Sequence, residues 1–204
     1  MALALAANFG SIDLWRERFF AFAGDAGDDV RNTSVTLAFR PRDSTLVNIA
    51  AHEHSKEEAD LVTLLIWDAD KHASNVDAFM ASVNWAAVYD RYRRAVYALS
   101  EPFAATHDDL SGKLLFDVRR AAVYEQAMTR IPGATWRDPA NVAEWAALVP
   151  ADREVIVYCV YGHEVGRATA MRLRAAGKNA RFLEGGIDGW QASGRPLDRK
   201  AEAL

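Results

Sequence analysis

Apolar residues recur along this chain at two different spacings, and the change divides it near residue 106. In the first stretch the spacing is mostly helical. Residues 11–23 predict a helix: Ser11 can cap it, Asp13 sits in its first turn, and Leu14, Phe19 and Phe22 recur on one side. Residues 33–39 are rich in β-branched side chains and fit a strand or a stretch of helix; periodicity does not decide. Pro41 interrupts, and Ser44 can cap a short helix running to Ala51. Ser55 and Glu58 have the spacing of a capping box, and Leu61, Leu64, Leu65 and Asp68 after them predict a helix. Ser74 caps a longer helical stretch over 75–99, with Asn84 as a break and Glu101-Pro102 as its stop. Residues 1–106 therefore read as a mainly helical accessory domain.

From residue 107 onward the punctuation is that of an α/β domain, after a polar stretch over 106–112. Short apolar runs at 113–116, 155–158 and 180–183 read as strands. Helical patterns fall at 120–129, at 139–148 with Asp138 as cap and Pro139 in the first position, at 165–176, and at 187–193. Strands alternating with helices imply a parallel sheet with helices on both faces. Ligands of such sheets sit at the carboxyl ends of the strands.

Composition narrows the function classes. The 204 residues are half hydrophobic and one quarter charged, enough for one large or two small cores. A net charge of −4 with no basic block argues against a nucleic-acid partner. No apolar run is long enough for a membrane helix, and the apolar opening Met1-Ala-Leu-Ala-Leu lacks the basic residues of a leader. The expectation is a soluble cytoplasmic protein. A single cysteine excludes an internal disulfide and a cysteine-cluster metal site.

That cysteine, Cys159, is the main candidate for chemistry. It follows the strand pattern Val155-Ile-Val-Tyr158 and precedes a five-residue stretch and a helix. Backbone N–H groups of such a loop, with the helix N-terminus behind them, make an anion cradle. The expectation is a thiol with a lowered pKa, serving as nucleophile. With no second cysteine to resolve it, its product must pass to another molecule. The cradle would be the backbone of Val160, Tyr161, Gly162, His163, Glu164 and Val165, with Gly162 allowing the curvature and His163 free to donate a hydrogen bond or carry a proton. In the first half, His52, His54, Asp68, Asp70 and His72 are metal-ligand types, but their spacing matches no established ligand pattern, and no metal site is assigned.

Four pieces in order resemble a rhodanese domain over about 110–197: Asp117-Val-Arg119 after a strand; Ile131-Pro-Gly-Ala134; the cysteine loop; and Leu183-Glu-Gly-Gly186 with Trp190, Gly194 and Pro196. The resemblance implies a rhodanese-like parallel sheet and a sulfurtransferase. Cys159 would accept a sulfane sulfur as a persulfide and hand it to a thiol or other nucleophile, with no cofactor. The partners implied are a small-molecule sulfur donor and a thiol acceptor. Asp117 and Arg119 would support the loop, Asp117 by hydrogen bonds to it. The six-residue loop Cys159–Glu164 departs from the common pattern by ending in Glu164 rather than arginine. The Val160-Tyr-Gly-His-Glu164 loop is similar to that of rhodaneses of bacterial chromate-resistance contexts. A glutamate there should repel a dianion such as thiosulfate unless an arginine neutralises it. Two other readings use the same fold. One is a cysteine phosphatase or oxyanion reductase, which needs an arginine clamp where Glu164 and Val165 stand. The other is a non-catalytic module for metal or oxyanion stress or for partner binding.

Overall fold

The computed structural model describes residues 1–24, 34–50, 60–68 and 76–200. The chain forms two compact units, Met1–Ala95 and Val96–Leu204. Among the described residues, no helix is long and apolar enough to cross a membrane.

The first unit holds helices α1 (Ala2–Phe9), α2 (Ile12–Gly24) and α3 (Val76–Ser82), most of α4 (Trp85–Ser100), and strands β1 (Ser34–Arg40), β2 (Thr45–Ala50) and β3 (Val62–Asp68). The strands make an antiparallel sheet in the order β2-β1-β3. Helix α2 begins as expected, with Ser11 Oγ accepting the Leu14 N–H at 3.0 Å. Asn84 does break the long helical stretch, separating α3 from α4. Two expected helices are instead strands. The stretch after Ser44 is β2, and the stretch carrying Leu64 and Leu65 is β3, paired to β1 with Leu37 opposite Leu65. Helical spacing at those positions is overridden by pairing with a distant strand, which propensity does not register. The capping-box residues, and His52, His54, Asp70 and His72, lie outside the described residues. Asp68 is the last residue of β3. Trp15, Phe19, Leu37 and Phe39 fill this unit's core, and Trp15 Nε1 donates to Asn48 Oδ1 at 3.1 Å.

The second unit is built on a five-stranded parallel sheet in the order β4-β9-β8-β5-β7. Its strands are β4 (Ala104–Ala105), β5 (Leu114–Asp117), β7 (Thr135–Trp136), β8 (Val155–Tyr158) and β9 (Ala180–Leu183). A two-stranded ribbon pairs β6 (Thr129–Arg130) with β10 (Asp198–Arg199). The helices are α5 (Ala121–Gln126), α6 (Val142–Ala146), α7 (Glu164–Ala175) and α8 (Gly186–Ala192). Asp138 caps the turn before α6, accepting the Ala140 N–H at 2.9 Å.

Strand β8 lies at the centre, and all four of its residues are buried. Its alternate side chains enter two different cores, as the two-residue period of a strand requires. Val155 and Val157 pack with Phe116, Phe182, Trp145, Met171 and Leu173. Ile156 and Tyr158 pack with Leu115, Leu183, Ile131, Ile187 and Trp190. The central strand is thus held from both faces, and the residue after it, Cys159, leaves the sheet at a fixed point.

Beside that exit stands a buried polar cluster. Asp117, at the end of β5 and opposite Tyr158 in register, is fully buried. It accepts from Arg119 Nε at 2.9 and 3.0 Å and from the Tyr158 hydroxyl at 3.0 Å. Burial first, and then the Asp117 carboxylate, push the Tyr158 hydroxyl far above its ordinary range, so it stays a neutral donor. The Tyr158 oxygen in turn accepts the Ile131 N–H at 3.2 Å. The Asp117 carboxylate thus binds Arg119 and Tyr158, rather than the loop as expected from sequence. It ties β5 to β8 at their carboxyl ends. Asp117→Asn would leave the Arg119 guanidinium buried without its counter-charge, at a cost of about 3–5 kcal/mol. Urea unfolding of the full chain should show that loss.

Candidate active site

Cys159 follows β8 and begins a loop that closes on α7 five residues later. The thiol is 5% exposed. The backbone N–H groups of Gly166, His163, Gly162 and Tyr161 are directed at its sulfur and favour its charged form. Three of these lie in the expected loop. Gly166, in the first turn of α7, is a donor that sequence reading missed. Its lack of a side chain was the available signal: a Cβ there would lie 3.4 Å from the Cys159 sulfur.

The loop converges on the sulfur because it is pressed against a second tight turn. Gly162 has φ of +69°, and a Cβ on it would meet Gly185 N and Leu183 O at 2.8 Å. Gly186 has φ of +59°, and a Cβ there would meet the carbonyl oxygens of Cys159 and Val160 at 2.5 Å. Backbone therefore lies directly on backbone, a contact only glycine permits. The first turn of α8 secures it from the other side: Ile187 N–H donates to Cys159 O and Asp188 N–H to Val160 O, each at 3.0 Å.

The side chains of the loop divide between rim and wall. Tyr161 is 55% exposed, and its ring lies 5.6 Å from that of exposed His163. His163 also occupies the N-cap position of α7, and its ring is 6.4 Å from that of Tyr97. Glu164 has its side chain only 13% exposed and pairs with Arg120, Nη2 to Oε1, at 3.5 Å. An arginine does face this glutamate, and it comes from the segment just before α5. Arg119 is absorbed by Asp117 and by the Thr129 carbonyl at 2.9 Å.

Burial pushes the Cys159 thiol above its ordinary value, and the four backbone N–H groups oppose that shift without cancelling it. This corrects the lowered pKa expected from sequence. The N–H cradle is present as expected, but the 5% exposure that accompanies it removes more solvation than the cradle returns. Among the described residues no group of three or more His, Cys, Asp or Glu side chains is placed to hold a metal ion.

Gly186→Ala forces a left-handed backbone on alanine and drives its Cβ into two carbonyl oxygens. Strain and displacement together should cost at least about 2 kcal/mol. Urea unfolding measures the loss, and faster alkylation of Cys159 at fixed pH reports the opened loop.

Residues 101–193 match the family model of the Rhodanese-like domain. The iron superoxide dismutase of Cupriavidus metallidurans is 31% identical over 103 residues, covering 46% of this chain and 51% of that protein. The HTH-type transcriptional regulator Rv0324 of Mycobacterium tuberculosis is 33% identical over 88 residues, covering 43% of this chain and 38% of that protein. The chain thus spans about half the length, or less, of these curated relatives. Among solved structures, a rhodanese-related protein from Thermoplasma volcanium is similar at 22% identity, over 47% of this chain and 96% of that one, with a TM-score of 0.42. With a central parallel strand ending in a cysteine, a six-residue loop and a helix behind it, residues 101–193 of this chain are a rhodanese-like domain.

Proposed function

We propose that the domain is a sulfurtransferase in which Cys159 carries a sulfane sulfur. The observation that supports this best is the convergence of four backbone N–H groups on the sulfur of a lone, buried cysteine at the carboxyl end of β8. In the first half-reaction the Cys159 sulfur attacks the outer sulfur of a donor R–S–SH. The donor's S–S bond breaks, a new S–S bond forms, and the thiol proton of Cys159 leaves with the departing R–S group as R–SH. In the second, an acceptor thiol attacks the terminal sulfur, and Cys159 is released as a thiol. Neither step changes the net oxidation state, so no cofactor is called for.

Charge develops on sulfur within the cradle in both steps, and the Tyr161, Gly162, His163 and Gly166 N–H groups stabilise it, as an oxyanion hole stabilises oxygen. His163 stands at the exposed rim, where its imidazole can carry the departing proton. The phosphatase reading draws no support from the side chains. A phosphate clamp needs a bidentate arginine facing the loop. Here Glu164 occupies the clamp position, Arg120 is paired to it, and Arg167 is turned to Gly162 O and Glu101.

The test is mass spectrometry of the intact protein after incubation with a sulfane donor such as glutathione persulfide. Cys159 should gain one sulfur atom, and a thiol acceptor should remove it. Cys159→Ser should abolish the gain and leave the fold intact. No gain in the native chain would sink the reading and favour a non-catalytic module. The Glu164–Arg120 pair generates a second expectation. Glu164→Gln removes the repelling carboxylate and frees the guanidinium beside the loop. With thiosulfate as donor, KM should fall by roughly fivefold, the equivalent of about 1 kcal/mol for a partly solvated charge. An unchanged KM in a folded variant would show that the donor does not approach past Glu164.

A further inference from the structure

The loop ends without an arginine, but an arginine lies one turn further on and reaches back to it. Arg167 Nε donates to Gly162 O at 3.1 Å. The guanidinium is held between the rings of Tyr97 and Phe182, with its carbon 4.1 Å from each centroid. Its Nη1 donates to Ser100 Oγ at 3.2 Å and to Glu101 Oε2 at 3.0 Å. The side chain is 11% exposed, so three polar contacts and two ring faces fix one orientation.

The carbonyl that Arg167 binds belongs to a peptide unit already in the site. Gly162 C=O and His163 N–H are the two ends of one amide, and that N–H is directed at the Cys159 sulfur. In a trans amide the two groups point in opposite directions, so fixing the oxygen fixes the hydrogen. A charged donor on the oxygen also polarises the amide and strengthens its N–H as a donor. We propose that Arg167 is a positioning residue for Cys159, aiming and polarising the Gly162–His163 peptide at the sulfur from the side opposite the substrate. This deepens the sulfurtransferase reading and rests on it for its consequence: an aimed N–H favours the charged sulfur of both half-reactions.

Other charged or titratable groups surround the pair. Glu101 and Tyr97 face Arg167, and His163 lies on the loop itself. Asp117, Arg119 and Tyr158 are bound to one another at the ends of β5 and β8. Glu164 and Arg120 pair at the far end of the loop, and Glu184 and Asp188 flank the turn that the loop packs on. His163 is the ring on the same loop as the sulfur, so the profile is also taken without it.

The experiment reads the pH midpoint of Cys159 alkylation by iodoacetamide on the full chain. Cys159 is the single cysteine, so mass spectrometry of the intact protein reports it alone. Arg167→Met should raise the midpoint by about one pH unit, which is about tenfold less thiolate at any pH below it. Arg167→Lys, which keeps the charge but not the fork, should fall between. The shift should persist in a His163→Gln background. An unchanged midpoint in folded Arg167→Met overturns the assignment, as does a shift that vanishes with His163→Gln. If Arg167→Met does not fold, Tyr97→Leu removes one face of the clamp without changing a charge. It should raise the midpoint by a smaller amount, and no rise overturns the assignment. Alkylation needs no sulfur donor, so failure of this assignment and failure of sulfur uptake are separate results.

Discussion

The site depends on one contact of backbone against backbone. The loop after β8 lies on the Gly185–Gly186 turn so closely that neither Gly162 nor Gly186 has room for a Cβ. The contact turns the loop's N–H groups inward, toward a single sulfur. Hydrogen bonds from the start of α8 to the carbonyls of Cys159 and Val160 satisfy the groups that this folding turns outward. Each half of the arrangement needs the other. The loop without the turn would have no reason to curl, and the turn without the loop would leave the α8 N–H groups unpaired.

Charge around the loop is handled by pairing. Asp117 holds Arg119, Glu164 holds Arg120, and Glu101 holds Arg167. The three pairs differ in burial and so in consequence. The Asp117–Arg119 pair is buried and structural, because neither charge can be left alone in a low-dielectric interior. The Glu164–Arg120 pair is partly exposed and lies at the end of the loop, so solvent weakens it. Arg167 binds a loop carbonyl as well as Glu101, so its charge acts on the cradle through a peptide bond.

Much of the second unit was legible in the sequence. Short apolar runs bounded by loops marked β5, β8 and β9, and Asp138-Pro139 marked the start of a helical segment, because these signals are local. The loop was legible too, from a cysteine placed between a strand and a helix. The two-residue strands β4, β6, β7 and β10 carry no periodicity and left no signal in the sequence. The first unit was harder to read. Leu61, Leu64 and Leu65 have helical spacing, yet Val62–Asp68 is a strand because β1 is there to pair with it. A short apolar run fits either element, and the choice falls to a partner far away in the chain.

The sequence by itself determined which residues could do chemistry. It held one cysteine, set it at a strand end, and placed the glycines that its loop requires. It also set Glu164 where an arginine clamp would stand. Only the tertiary structure decided the state of the thiol and the partners of the charges. Burial is the sum of what many distant residues exclude, so the upward shift of the Cys159 thiol has no local sequence signal. The same holds for Arg167. Nothing in its neighbourhood along the chain reveals that Tyr97 and Phe182 hold its guanidinium, because those rings come from a helix and a strand that meet it only when the sheet is formed.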